Sequence, residues 1–347
     1  MKKINICIVG AGNICQHAHL PVYKDRDDIQ IVAICDWNLE RAQGVAKEYG
    51  IPRAFRTVEE ALEQVPEIDA VDICVWNRSH APVAIAAAKA GKHILCEKPM
   101  AWSVEQAEEM RKAVNENGVT FMLAVMSRFH NDTQLLKELI DDGKLGDIYY
   151  AKTAYVRRRG TPLGWFTDTA KAGGGPVIDI GVHCIDRTWY LMGKPKPVRI
   201  SASTSYAIGD YQTKGVSRWV ALDSDVTAFD TEDSACGVIH FENGATMLFE
   251  VSWAINLEPN SNTWLAGDKG GAMLSPLTVY SEENHYLSDT TLTTQKNNAY
   301  ATEIDHWLDC IRTGKTPIAS VDDGVTVQKM LEGIYTSAKL HKEITLD

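Results

Sequence analysis

Between Ile4 and Val125 the chain repeatedly sets a short apolar run against a stretch of helical pattern. The runs are Ile4–Val9, Ile29–Cys35, Ala70–Trp76, His93–Cys96 and Val119–Val125, with a shorter one at Arg53–Phe55. Strands alternating with helices in this way build βαβ units and a parallel sheet. The intervening helices carry their own start signals. Thr57 is followed three residues later by Glu60, and Ser103 by Gln106, each the spacing of a capping box. Gly91 and Gly118 supply stops, and the alanine-rich stretch His80–Ala90 suits a helix lying close on a sheet.

From about Asp147 the rhythm changes to strand-like runs broken by turn residues, so a second, mainly antiparallel domain is expected. Asn243-Gly244 predicts a two-residue hairpin turn. After it Met247, Phe249, Val251 and Trp253 alternate with Thr246, Glu250 and Ser252, the period of a pleated strand. Asp268-Lys269-Gly270-Gly271 predicts another turn. From Ala301 a helical pattern returns, with Ile304, Trp307, Leu308 and Ile311 on one face. For 347 residues two domains are the natural expectation. The boundaries read as 1–125, 126–300 and a helical segment 301–347 packing back on the first domain.

Composition narrows the partners. With 35 basic and 46 acidic residues the net charge is −11, which repels a phosphate backbone, so neither nucleic acid nor an anionic membrane is expected as a partner. Met1-Lys2-Lys3 leads straight into Ile4–Val9, too short for a signal-peptide core, and no apolar run approaches the ~20 residues that span a bilayer. A cytoplasmic protein is expected. No two of the eight cysteines have the spacing of a metal knuckle or redox pair, so they read as reduced, buried small hydrophobes, and no metal site is expected.

Directly after the first strand stands Gly10-Ala11-Gly12-Asn13-Ile14-Cys15, a dinucleotide fingerprint with Cys15 in the place of the last glycine or alanine. Gly10 permits a tight turn, and Gly12 lets a pyrophosphate approach backbone amides at a helix N-terminus, beside Asn13 and Ile14. The second strand ends in Asp36, where a carboxylate accepts the hydrogen bonds of an adenosine ribose. Neither Trp37 nor Asn38 beside it is basic, so NAD is favoured over NADP. The later strands end at Trp76-Asn77 and at Glu97-Lys98-Pro99. A lysine there, next to a nicotinamide, would hold a substrate oxygen and stabilise its developing charge.

The segment from Gly173 to His183 is the second informative stretch. Pro176 suits a helix start, and Asp179 and His183, four apart, share one helical face while Ile178, Val182, Ile185 and Trp189 cover another. A histidine near neutrality can take an alcohol proton as hydride leaves the same carbon, with Asp179 orienting it or binding a hydroxyl. A structural Asp–His pair has the same spacing. Arg157-Arg158-Arg159 read either as a solvated charge run or as a substrate contact through one of them, with Trp165 stacking on a sugar face. His17 and His19 read as structural.

Taken together, Gly10-Ala11-Gly12, Glu97-Lys98-Pro99 and Gly174-Gly175 with Asp179 and His183 resemble the Gfo/Idh/MocA oxidoreductase family. Arg128-Phe129-His130, Leu145-Gly146-Asp147-Ile148 and Ile311-Arg312-Thr313-Gly314-Lys315 extend the resemblance over nearly the whole chain. It implies an α/β protein: an N-terminal Rossmann domain with a parallel doubly wound sheet, then an α/β domain with a large, mostly antiparallel open sheet used for oligomer contacts. It also implies Lys98 as the active-site lysine, Asp179 as a substrate carboxylate, His183 as the acid/base, and a cis-like turn at Lys98-Pro99. Trp76, His80 and Glu97 then join Gly10, Gly12, Asn13, Ile14, Asp36, Trp37, Asn77 and Lys98 as expected cofactor contacts. Lys98, Arg157, Trp165, Asp179 and His183 are the expected substrate contacts. Val75-Trp76-Asn77 departs from the family's usual Thr-Pro-Asn, which changes the floor near the cofactor. The expected activity is NAD-dependent oxidation of a sugar, inositol or glycoside CH–OH by a homodimer or homotetramer. A glycosidase-like reaction through transient ring oxidation and a non-catalytic sugar or nucleotide sensor are the alternatives.

Overall fold

The computed structural model describes residues 3–24, 26–222 and 229–346. Met1 and Lys2, read above as the lead into the first strand, lie outside them. The chain divides into two compact units, one of Met1–Val125 with Tyr300–Gln328 and one of Met126–Ala299 with Lys329–Asp347.

The first unit is built on a six-stranded sheet of β1 (Ile4–Val9), β2 (Ile29–Cys35), β3 (Ala54–Phe55), β4 (Ala70–Ile73), β5 (His93–Glu97) and β6 (Phe121–Ala124). Its order is β3-β2-β1-β4-β5-β6 with every pair parallel, the doubly wound order whose reversal point lies between β1 and β4. Near-continuous apolar strands are what a sheet covered on both faces requires, and Ile6, Cys7 and Ile8 are fully buried. The connecting helices are α1 (Leu20–Lys24), α2 (Leu39–Tyr49), α3 (Val58–Gln64), α4 (His80–Lys89) and α5 (Val104–Asn117). Thr57 and Ser103 cap α3 and α5 by accepting from the Glu60 and Gln106 amides. Gly118 closes α5 in the left-handed region. The expected strand at Ala70–Trp76 stops at Ile73: after a last ladder bond from the Cys74 amide to the Val9 carbonyl the chain enters a short helical turn at Asn77.

In the second unit β7 (Ile148–Val156), β8 (Pro197–Ser205), β9 (Ser234–Phe241), β10 (Thr246–Ser252), β11 (Asn260–Gly267), β12 (Gly271–Met273), β13 (Thr278–Glu283), β14 (Tyr286–Thr291) and β15 (Ile344–Thr345) form one sheet. Its order is β14-β13-β12-β11-β7-β10-β9-β8-β15, and β7 with β10 is its parallel pair. Met247, Phe249, Val251 and Trp253 are buried on one face, while Leu248 on the other is 37% exposed. The β9–β10 turn has three residues rather than two. The Phe241 amide donates to the Ala245 carbonyl, and Gly244 alone takes a positive φ, as in the type I turn with a glycine bulge. The unit's helices are α6 (Asn131–Asp141), α7 (Thr169–Ala172) and α8 (Val182–Leu191). Arg128 and Asp186, both fully buried, clamp the start of α6 to α8 through two charge-assisted bonds of 2.8 and 2.6 Å.

The C-terminal helices are α9 (Ala299–Thr313) and α10 (Val321–Leu340). The single segment expected from 301 to 347 is divided, since residues through Gln328 cluster with the first unit and those from Lys329 with the second. The division falls inside α10, where continuous helical periodicity leaves no boundary for sequence reading to find.

Candidate active site

In the first unit the glycine turn follows β1. Gly10 has φ 103°, and a Cβ there would stand 2.5 Å from the Cys74 carbonyl oxygen, so only glycine fits. Gly12 has nothing within 4 Å of its Cβ position, the open approach a pyrophosphate needs. The helix that follows starts wide, as a π-helical turn over Cys15–His19 before α1, with Cys15 fully buried. Asp36 accepts from the Ala11 amide at 2.9 Å and the Asn38 amide at 2.8 Å, which fixes the carboxylate against the turn. The reading of Asp36 as free of basic neighbours needs correcting. Asn38 caps α2, whose first turn brings the Arg41 guanidinium to 3.7 Å from Asp36 and over the Trp37 ring.

Two other expected cofactor contacts, His80 and Glu97, are buried. His80 is 1% exposed, with Nδ1 2.7 Å from the Pro99 carbonyl and Nε2 3.1 Å from that of Val75. It braces the loops after β4 and β5. Burial lowers its pKa, and the two carbonyls only partly oppose this. Glu97 accepts from the Lys98 amide with one oxygen and meets His19 Nε2 at 3.1 Å with the other. Trp37 and Asn77 flank the same strand ends, Trp76 stands 6.3 Å from Trp37 ring to ring, and the Lys98–Pro99 bond is cis.

Sequence reading missed the network beneath this turn. His19 Nδ1 lies 2.8 Å from Asp72, which also accepts from Tyr23 at 2.9 Å, and all three residues are buried. Burial pulls the His19 pKa down, but Asp72 and Glu97 outweigh it and hold the imidazole well above its ordinary range. Glu97 is pushed up by burial and further down by His19 and Lys98. His19, Asp72 and Cys74 are close enough to share a metal ion. Both ring nitrogens of His19 already face carboxylates, so an ion-paired imidazolium accounts for the cluster. Its only sequence sign was a histidine on the helix after a dinucleotide turn.

In the second unit Gly173, with φ 84°, ends α7, and Gly174 and Gly175 leave room for Tyr335 and Glu232. Glu232 is 1% exposed and accepts from the Gly175 amide at 2.9 Å, the Val177 amide at 3.2 Å and the Tyr335 hydroxyl at 2.7 Å. Burial raises its pKa against the pull of these donors. A carboxylate at a helix start satisfies amides that have no intrahelical partner. The helix expected from Pro176 opens as a π-helical turn at Val177–Gly181 before α8. Asp179 Oδ2 accepts from the indole of buried Trp253 at 3.0 Å, and the His183 carbonyl accepts from Ser127 at 3.2 Å. Of the arginine run, Arg157 donates to the Tyr155 hydroxyl and the Gly160 carbonyl. Arg159 is spent on Asn256, Ile255 and Thr213 and ties loops together. Trp165 stacks on Phe166 at 4.0 Å, and Phe166 meets Trp219 edge-on.

The sequence profile of the oxidoreductase family's NAD-binding Rossmann fold matches residues 4–125, and that of its C-terminal alpha/beta domain matches residues 137–346. A D-glucoside 3-dehydrogenase of Escherichia coli (strain K12) is 33% identical over 353 aligned positions, covering 99% of this chain and 98% of its own. The aldose-aldose oxidoreductase of Caulobacter crescentus, solved with glycerol, superposes with a TM-score of 0.82 at 26% identity, over 99% of this chain and 100% of that one. A levoglucosan dehydrogenase solved with NADH has the same fold, with a TM-score of 0.84 at 24% identity and 100% of both chains covered. A glycine turn shaped for a dinucleotide, two matching domain profiles and these relatives converge: the chain belongs to the Gfo/Idh/MocA family of oxidoreductases.

Proposed function

We propose that the chain oxidises a secondary alcohol of a sugar or glycoside, with Lys98 and His183 as its catalytic residues and NAD preferred over NADP. The observation that carries this reading is the partly exposed Asp179 and His183 on a helix that is largely buried, in a family whose glucoside-named relative matches almost end to end. The open Gly12 position and the Asp36 carboxylate suit the pyrophosphate and adenosine ribose of NAD, with Asn13 and Ile14 at the helix start. Bound NAD supplies the hydride acceptor. With that acceptor in place, His183 would take the hydroxyl proton as the carbinol hydrogen leaves with its electron pair, leaving a ketone, and would pass its proton on to water. Lys98 would hold a substrate oxygen and steady the negative charge it gains. Asp179, fixed by the Trp253 indole, binds an adjacent hydroxyl.

Among the described residues no helix is long and apolar enough to cross a membrane. The eight cysteines are all free thiols, which suits the cytoplasm. The exposed sheet face with Leu248 and Tyr280 suits a homodimer or homotetramer, and a monomeric mass by light scattering at micromolar concentration would refute that. The function itself is tested by following NADH absorbance across inositols, aldoses, uronates and glycosides. Turnover of at least one is expected, and silence across the whole set refutes the reading.

A further inference from the structure

The helix that presents Asp179 and His183 carries a third polar residue on the same stripe. From Val177 to Leu191 every side chain is buried except Asp179, His183 and Arg187, each part-exposed and four residues from the next. That spacing keeps them on one face, and Arg187 lies one turn beyond His183, about 6 Å along the axis.

Among the described residues Arg187 forms no ion pair. Its Nη2 donates to the neutral Thr263 hydroxyl at 3.3 Å, and its buried Nε has no hydrogen-bond partner among the described residues. The adjacent carboxylate, Asp186, is occupied by Arg128. Burial lowers the Arg187 pKa, and the negative groups around it, Asp132 and Asp186 among them, do not restore it. Guanidinium nonetheless stays protonated in proteins. Tyr155 is close enough to act on Arg187 electrostatically and receives a hydrogen bond from Arg157, whose own partners are likewise neutral. A buried donor left unmade and a charge left unpaired both cost stability, and a ligand anion would relieve both.

We propose that Arg187, with Tyr155 near it, binds the carboxylate of an acidic sugar, so that the preferred substrates are uronic acids or their glycosides. This rests on the sugar-dehydrogenase reading above and names its substrate class. One helical turn of backbone separates His183 from Arg187, the scale of a single pyranose ring, which suits a carboxylate borne directly on the ring at Arg187 while the ring alcohol meets His183. The longer arm of a phosphate ester suits that spacing less well.

The test uses the full chain with NAD and a matched pair, methyl glucuronide and methyl glucoside, with glucose 6-phosphate as a third arm. Wild type should favour the glucuronide over the glucoside in kcat/KM by roughly tenfold or more, the discrimination expected of one charge-assisted contact. Arg187→Gln should lower that ratio by roughly 10- to 100-fold, chiefly through KM. Arg187→Lys should recover part of it, because it keeps the charge and loses the planar fork. Wild-type turnover of the glucoside at least equal to that of the glucuronide overturns the proposal and leaves the sugar-oxidation reading standing, whatever the variants do. A ratio unchanged in Arg187→Gln, or a stronger preference for the phosphate, also overturns it. No NADH from any sugar removes the underlying function instead.

Discussion

The two units share a local design and put it to opposite uses. In each, a glycine-rich turn leads into a π-helical turn, Cys15–His19 in one and Val177–Gly181 in the other. In each, a buried carboxylate from elsewhere in the chain holds the turn by its backbone, Asp36 accepting the Ala11 amide in the first and Glu232 the Gly175 and Val177 amides in the second. The glycines differ. The Cβ position of Gly12 is open, whereas Gly174 and Gly175 are crowded by Tyr335 and Glu232. One turn's small residues leave open space, and the other's let the protein pack against itself.

The sharpest way to break this comparison is to separate chemistry from cofactor binding. His183→Ala should lower kcat by ~10² to 10⁴, the usual weight of a general base, and Lys98→Ala by ~10² or more. His183→Ala should still change NADH fluorescence on binding, because His183 is not among the expected cofactor contacts. Loss of NADH binding together with activity would show the assignment to be wrong.

The glycines themselves give the next largest contrast. Gly12→Ala should weaken NAD by roughly tenfold or more while leaving the melting temperature in place, since the added methyl meets only the ligand's space. Gly175→Ala should destabilise by about 1–3 kcal/mol through overpacking against Glu232, read as a fall of several degrees in thermal unfolding. Equal thermal shifts in the two variants would erase the distinction.

Arg41 makes the first turn's specificity easier to move than its neighbours in sequence suggest. Asp36→Ser alone should raise the NADP-to-NAD ratio of kcat/KM by about tenfold, because Arg41 is already in place to meet a 2′-phosphate. Adding Arg41→Ala should cancel that gain. If the single variant leaves the ratio unmoved, Asp36 does not face the ribose.

The smallest effect concerns His19. Its pKa is raised in the folded protein, so its contribution to stability is fully present below the unfolded value of about 6.5 and is lost as pH rises through the folded value. Across that window stability should fall by at most about 1.4 kcal/mol per pH unit more steeply in wild type than in His19→Gln. Denaturant midpoints at pH 6, 7 and 8 would show it, and parallel slopes would mean that His19 is not charged in the fold.

Local pattern was enough for the strands β1 and β2, for the caps at Thr57 and Ser103, for the glycine turn and for Asp179 with His183 on one face, because each depends on residues within a turn or a strand of one another. Arg41 beside Asp36 was also within reach, since Asn38 starts a helix whose first turn carries it there. Arg187 was too, as one more step of the same four-residue spacing. Other features had no local signal. Glu232 meets Gly175 across 57 residues and His19 meets Glu97 across 78, and no periodicity in either segment encodes its partner. Sheet order and the packing of buried carboxylates against backbone amides brought those groups together. The sequence by itself determined which elements form and which face of each is apolar. Only the tertiary structure decided which glycine faces open space and which faces Glu232, because a missing side chain looks the same in sequence whether a ligand or another part of the chain fills its place.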